Sequence, residues 1–372
     1  MKAAILRSHG AQLPYHETRA LSIEDVTLDP PGWGEVKVQI KAAGLCHSDL
    51  STINGDRLRP VPMVLGHEAA GIVVECGLGV TDLAAGDHVV MVFVPSCGHC
   101  LPCMEGRPAL CEPGAAANGV GTLLSGERRL HDHAGTVHHH LGVSAFAEYA
   151  VTSRRSLIKI DKDLPFDEAA LFGCAVLTGV GAVVNTARVP AGARVAVLGL
   201  GGVGMNALLG AVASGAADVV AVDLFPEKLA FALELGATAA VNARDPDAIE
   251  QVKALTKGGV DFAFEMAGSV QAMEAAYRMT RRGGTTVSAG LPNPEARWPL
   301  QHVNMVAEER TIKGSYIGSC VPGRDVPRYI DLYRRGKLPV DRLMGERLTL
   351  DEINLGFDRL AAGTALRQII LF

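Results

Sequence analysis

The sequence predicts an α/β chain of two domains, one mostly β and one built on a doubly wound parallel sheet. Three observations carry this expectation. The chain has 372 residues, more than a single hydrophobic core ordinarily serves. Residues 36–160 hold short β-rich runs separated by Gly/Pro turns. From about residue 173, Ala/Leu-rich helical stretches alternate with compact apolar strands, the texture of βαβ units.

In chain order, residues 1–17 have no apolar core of signal-peptide length, since His9, Gly10, Gln12 and Pro14 interrupt them, so no export is expected. Val36–Ile40, Gly71–Val74 and His88–Val94 read as strands of a mostly antiparallel, partly barrel-like domain in which helices are scarce. Leu171–Val184 is the longest apolar stretch, yet it is shorter than a membrane span and holds three glycines, so it reads as buried core. Arg194–Leu200, Asp218–Asp223, Val260–Glu265 and Thr285–Ala289 are the strands of the parallel sheet. Arg367–Phe372 is a last strand that can return to the first domain's sheet. No internal repeat or low-complexity linker interrupts this order.

Composition narrows the function. Forty acidic against 35 basic residues leave a net charge of −5, which favours no polyanionic partner, so nucleic acid is an unexpected ligand. A membrane role is disfavoured. Eight cysteines in this length are too sparse for a disulfide scaffold, and without a signal the expected compartment is the reducing cytoplasm. Their spacing therefore needs a chemical explanation.

The strand ending at Leu198 runs into Gly199-Leu200-Gly201-Gly202-Val203-Gly204, a helix-compatible stretch follows, and Asp223 ends the next strand 19 residues after Gly204. A lone GxGxxG is a weak signal, but strand, helix and acidic residue together form a dinucleotide-binding context. The glycines admit a pyrophosphate to the helix N-terminus. Asp223 would accept the adenosine ribose hydroxyls and repel a 2′-phosphate, with Lys228 in reach of the same ribose, which favours NAD over NADP. The bland reading, a tight βα turn without a ligand, leaves Asp223 unexplained.

Cys97, Cys100, Cys103 and Cys111 form C-x2-C-x2-C-x7-C, a spacing that closes a tetrahedron around a structural zinc. An iron–sulfur cluster is the rival, and the fourth spacing and single copy do not fit it. A dispersed set, Cys46, His67 and Cys174, provides two thiolates and an imidazole, which would leave a zinc with one open position. Singly, these are bland residues that more often fill a core; beside a dinucleotide fold they become a candidate catalytic centre.

GLCHSDL, LGHEAAGIV, GDHVV with its four-cysteine loop, LFGCAVLTGVGAVVNTA and GLGGVG occur in the order seen in zinc-dependent medium-chain alcohol dehydrogenases, and the chain resembles that family over essentially its whole length. The resemblance implies a GroES-like catalytic domain over 1–172 and 320–372 around a Rossmann coenzyme domain over 173–319, with two zinc ions per chain. It implies Cys46, His67 and Cys174 as catalytic ligands, Glu68 as a close or transient ligand, and Asp49 as the group orienting His67. It places His47 and Arg367 at the pyrophosphate and presses Thr178 and Val203 on the nicotinamide. Ser48 would accept the substrate proton and relay it through the ribose, the bland alternative being a turn hydroxyl that caps backbone. Phe93, Leu291 and Tyr316 align with pocket walls, which points to an apolar or aromatic primary alcohol or its aldehyde. A thiol-adduct-dependent formaldehyde dehydrogenase, acting on an S-hydroxymethyl-glutathione-like substrate, is the alternative; Arg57 supplies a charge, but the rest of that branch's set is unmatched.

The segment Glu112–Leu141 matches no branch and reads as a loop lining the substrate channel. It holds His131, His133, His138, His139 and His140. A solvated loop and strand edge is favoured there over a third metal site, because no cysteine or carboxylate pattern completes one; His140 alone is expected to reach the pocket. A non-catalytic NAD-binding relative or a metal-free quinone reductase is disfavoured by retention of all three catalytic ligands. Relatives pair through the coenzyme domain's edge, so Gln301–Gly318 is the expected contact of a homodimer or homotetramer.

Overall fold

The computed structural model describes residues 1–372, which divide into two compact units. One comprises Met1–Cys174, Val321–Ile330 and Val340–Phe372; the other comprises Ala175–Cys320 and Asp331–Pro339.

The first unit contains β1 (Lys2–Leu6), β2 (Leu21–Asp25), β3 (Thr27–Leu28), β4 (Glu35–Gly44), β5 (Met63–Val64), β6 (Ala69–Cys76), β7 (His88–Met91), β8 (Leu130–Asp132), β9 (Gly135–His139), β10 (Tyr149–Ser153) and β11 (Leu157–Ile160). The period-two pattern of β4 is plain: Val36, Val38 and Ile40 are buried while Lys37, Gln39 and Lys41 between them are only half-buried, as a strand with one covered face requires. β4 pairs antiparallel with both β6 and β10. Gly71 permits the β4–β6 approach, because a Cβ there would sit 2.2 Å from the Gln39 carbonyl oxygen.

The second unit holds β12 (Arg194–Leu198), β13 (Asp218–Asp223), β14 (Ala239–Asn242), β15 (Val260–Glu265), β16 (Thr280–Ser288) and β17 (Thr311–Gly314). They form one parallel sheet in the order β14-β13-β12-β15-β16-β17. Helices Gly202–Ala213, Pro226–Glu234, Ala248–Leu255 and Val270–Met279 connect its strands. The strands are nearly continuous apolar runs because both faces are covered, and Leu198, Val220, Val222, Val241, Val252 and Met279 share one buried cluster. The order reverses at β12, between β13 and β15, which makes the carboxyl end of β12 the switch point where nucleotides bind in such sheets.

The chain then returns to the first unit with β18 (Arg347–Leu348) and β19 (Ile369–Leu371). β19 joins β4 antiparallel, Ile370 opposite Ala43, so the expected return of the C-terminal strand takes place beside the segment that carries Cys46.

Two expectations need correction. Glu112–Leu141 is not an open loop but a helix, Glu112–Val120, followed by the β8–β9 hairpin. The helix starts where the Cys111 sulfur accepts the Gly114 N–H and Pro113 occupies the first turn, and it ends at Gly121, φ 71°, a start and stop of ordinary kind. The hairpin turns on Asp132, whose Oδ1 accepts the N–H groups of Ala134 and Gly135. Nor do the histidines form a solvated edge throughout, since His139 and His140 are buried.

Candidate active site

Cys46 ends the stretch after β4 and starts the helix His47–Ile53; His67 precedes β6; Cys174 follows the helix Phe166–Leu171. These three residues, scattered along the chain, are all buried, and their ligand atoms lie within 4.8 Å of one another. The His67 ring is aimed by Asp49, whose carboxylate oxygens stand 3.1 and 3.2 Å from Nδ1 and which also accepts the Gly66 N–H at 3.1 Å. Asp49 therefore accepts from Nδ1–H and leaves Nε2 facing the two sulfurs. Nε2 is buried with no hydrogen-bond partner, an arrangement that costs free energy unless a cation takes the lone pair. The donor set fits zinc with an open coordination position.

The electrostatics point the same way. The Cys174 thiol hydrogen-bonds Cys46 and pulls its pKa well below the ordinary value, helped by His67 against the opposing effect of burial. Burial alone would lower His67, but Asp49 and the Cys46 sulfur outweigh it and raise the imidazole. Such a cluster is built to surround positive charge.

Cys97, Cys100, Cys103 and Cys111 form a second set whose sulfurs also lie within 4.8 Å of one another. The Cys97 sulfur accepts N–H groups from His99 and Cys100, and the Cys111 sulfur accepts those of Cys97 and Gly114. Burial opposes ionisation of Cys97, yet the donors from His99 and Cys100 bring it down to about 7. Burial pushes Cys103 up to about 12 and raises Cys111 as well, so a cation is what would let all four ionise together, and the four converging sulfurs fit a closed structural zinc site.

Around the three-ligand set, Phe93 and His140 both pack edge-on to the His67 ring, with centroids 5.2 and 5.6 Å away. His140 turns Nδ1 to within 3.2 Å of Asp49 and is 1% exposed, so it buttresses Asp49 as well as flanking the His67 ring. Glu68 is fully buried and pushed up to about 7 by burial, against the pull of Arg367. Arg367 donates to Glu68 Oε2 and the Leu45 carbonyl. Asn118, which sequence reasoning missed, donates from Nδ2 to the Phe93 carbonyl while its own backbone carbonyl accepts from Arg59; contacts this distant in sequence leave no spacing signal. Glu24, Asp132 and His133 also cluster, but Arg7 already pairs with both carboxylates.

In the second unit, Gly199 takes φ +88° and a Cβ on it would sit 2.8 Å from the Ala267 backbone nitrogen, while a Cβ on Gly204 would meet the Gly199 carbonyl at 1.8 Å. Only glycine fits this turn. Gly201 caps and Gly202 starts the following helix; a Cβ on Gly201 would meet nothing, so the turn is left open above it. Asp223 accepts the Leu200 N–H at 2.5 Å and the Phe225 N–H at 3.0 Å, which fixes its carboxylate beside the loop. Thr178 is buried on the helix Ala175–Gly181, and the neighbouring Gly179 lets that helix touch the Val203 backbone. Leu291 and Tyr316 are exposed on this unit, at 50% and 42%.

Residues 32–162 match the alcohol dehydrogenase GroES-like domain and residues 202–335 match the zinc-binding dehydrogenase domain. An S-(hydroxymethyl)glutathione dehydrogenase of Paracoccus denitrificans is 37% identical over 364 residues, covering 95% of this chain and 97% of the relative. The chain belongs to the zinc-dependent medium-chain alcohol dehydrogenases. Among solved structures, an alcohol dehydrogenase zinc-binding domain protein from Burkholderia ambifaria superposes on this dehydrogenase with a TM-score of 0.93 at 35% identity, covering 100% of this chain and 98% of that one. Benzyl alcohol dehydrogenase from Acinetobacter calcoaceticus gives 0.93 at 32% identity, covering 100% and 99%. The family makes this an enzyme that works with zinc and a nicotinamide cofactor on small alcohols or aldehydes. No helix of the dehydrogenase is long and apolar enough to cross a membrane.

Proposed function

We propose that this dehydrogenase interconverts a primary alcohol and its aldehyde with NAD(H), using two zinc ions per chain, one catalytic and one structural. The observation that carries the reading is the three-donor set with the unpartnered His67 Nε2. Zinc there supplies Lewis acidity that makes a hydroxyl acidic near neutral pH, and NAD supplies the hydride acceptor. Cys46, His67 and Cys174 hold the metal, Asp49 orients His67, and Ser48 takes the hydroxyl proton. Glu68, paired with Arg367 beside the ligands, is a reserve carboxylate next to the metal. Gly199, Gly201, Gly202 and Gly204 cradle the pyrophosphate, with His47 and Arg367 as its cationic contacts. Asp223 and Lys228 hold the adenosine ribose and select NAD. Thr178 and Val203 support the nicotinamide.

Phe93, buried edge-on to His67, supports an apolar or aromatic substrate, with Leu291, Tyr316 and His140 as further pocket residues; the benzyl alcohol dehydrogenase relative agrees in name. The second reading, an S-hydroxymethyl thiol adduct, is favoured by the relative from Paracoccus denitrificans. NADH formation across short, long, aromatic and thiol-adduct alcohols separates them: the highest kcat/KM on S-hydroxymethylglutathione would replace the first reading by the second.

We further place the enzyme in the cytoplasm as a homodimer or homotetramer. Support comes from β17, the outer strand of the parallel sheet, and from Val303 and Val306, exposed on the adjoining helix His302–Ala307. A monomeric mass by light scattering at micromolar concentration would exclude the assembly.

A further inference from the structure

Beside Asp223 stand two cations that share one aromatic ring. β13 and β14 run in parallel with Asp223 opposite Asn242, and the Ala243 N–H donates to the Asp223 carbonyl at 2.9 Å. The chain therefore leaves β14 alongside Asp223, and Arg244 follows at once, its backbone N–H held by the Asn242 side chain. The Arg244 guanidinium lies 5.8 Å from the centroid of the Phe225 ring. The Lys228 ammonium lies 4.7 Å from the same centroid. Phe225 is tied in turn to Asp223, because its N–H donates to Oδ1.

Asp223 cannot swing to neutralise either cation: Leu200 and Phe225 donate one N–H to each of its oxygens. Asp245 and Asp247, the acids next in sequence, are engaged by the Gln251 side chain instead. The carboxyl end of β13 and β14 thus presents two positive side chains around one pinned carboxylate. A carboxylate at this place serves a ribose 2′-hydroxyl, whereas a nearby arginine accommodates a 2′-phosphate. This chain carries both.

We propose that Arg244 is a cofactor-selectivity residue that, with Lys228, offers a seat to the 2′-phosphate of NADP and so limits the exclusion imposed by Asp223. The planar guanidinium matches phosphate oxygens two at a time, and its contact with the Phe225 ring keeps this exposed side chain at the carboxyl end of β13 and β14. The dehydrogenase accordingly prefers NAD but retains measurable use of NADP. The proposal deepens the NAD reading above and rests on its placement of the adenosine ribose beside Asp223.

The test is calorimetric binding of 5′-AMP and 2′,5′-ADP to the zinc-loaded enzyme, with the NAD-to-NADP ratio of kcat/KM measured alongside. Arg244 is exposed, so Arg244→Ala should fold normally. It should weaken 2′,5′-ADP by about fivefold or more while leaving 5′-AMP within about twofold, as expected for the loss of one charge-assisted phosphate contact. The kinetic preference for NAD should widen by the same factor, and Arg244→Lys should fall between, keeping the charge without the fork. If 5′-AMP binds normally and Arg244→Ala leaves 2′,5′-ADP unchanged, the proposal is overturned while the NAD reading stands. If the unmodified enzyme binds neither nucleotide, the ribose is misplaced and both fall.

Discussion

The Arg367 guanidinium is clamped to the Glu68 carboxylate, Nη2 to Oε2 at 2.8 Å, with side chains 4% and 0% exposed. A charge pair this deep is costly to bury and costlier to break, since removing one partner strands the other. Arg367→Leu should destabilise the dehydrogenase by about 3–5 kcal/mol, and adding Glu68→Gln should recover a large part of that loss. Urea unfolding of the zinc-loaded single and double variants measures both. Additive losses would show that the pair is not coupled.

The seven zinc-type ligands fall into a closed set of four and an open set of three, so two zincs per chain are expected by elemental analysis. Cys111→Ser removes the sulfur that accepts two backbone N–H groups and should lose one zinc and much stability, because the site is what orders its loop. Cys174→Ser should stay folded and lose turnover. Iron in the purified enzyme, or one zinc per chain at full activity, would refute the assignment.

Asp223 should set the cofactor preference. Its carboxylate gains ribose hydrogen bonds with NAD and faces like charge in NADP, so the kcat/KM ratio should favour NAD by at least about tenfold, or about 1.4 kcal/mol. Asp223→Gly should narrow the gap. Equal use of both cofactors by the unmodified enzyme would contradict the assignment.

How much of this is legible in the sequence follows from distance along the chain. The glycine turn, its flanking strand and helix, and Asp223 follow one another closely, so local spacing is enough to read the α/β coenzyme domain. The four-cysteine loop is readable for the same reason. Cys46, His67 and Cys174 are scattered, and only the family's ordered motifs link them. The Asp49–His140 and Arg59–Asn118 contacts join residues far apart in the chain, and neither leaves a periodic trace. Glu112–Leu141 reads as a loop because glycines at 114, 119, 121, 126 and 135 punctuate it and outweigh the short helix-favouring run Ala115–Ala117. What orders that segment is a cysteine sulfur capping a helix and an aspartate closing a turn.

His139 gives that segment a pH signature. Burial, then Arg128 and Arg129, push its pKa down to about 3, while its Nε2 accepts the Arg129 N–H. The unfolded ring, with a pKa near about 6.5, binds protons more readily than the folded one. Protons therefore favour unfolding, and stability falls as pH drops from about 6.5 toward the folded value, at up to about 1.4 kcal/mol per unit. His139→Gln keeps an acceptor without the titration. Between about pH 7.5 and 5.5 the unmodified enzyme should lose about 1.4 kcal/mol more than this variant, by urea unfolding; equal losses would place the proton elsewhere.

The proton path can be tested at both ends. Ser48 stands two residues after Cys46 on the helix His47–Ile53, and its hydroxyl is the group assigned to the metal end. The family resemblance implies that the path to solvent passes the position of Ser51, and a serine hydroxyl has no accessible charged state near neutral pH. The proton must then leave through water or through His47. Ser48→Ala should lower alcohol oxidation by about 10²-fold or more, the usual range for a general acid–base group. Ser51→Ala should be nearly silent, and Ser51→His should raise oxidation near about pH 7 if proton transfer limits the rate. If Ser48→Ala keeps near-normal turnover with zinc and NAD bound, the relay is wrong and Glu68, already held near neutrality beside the ligands, is the base to test next.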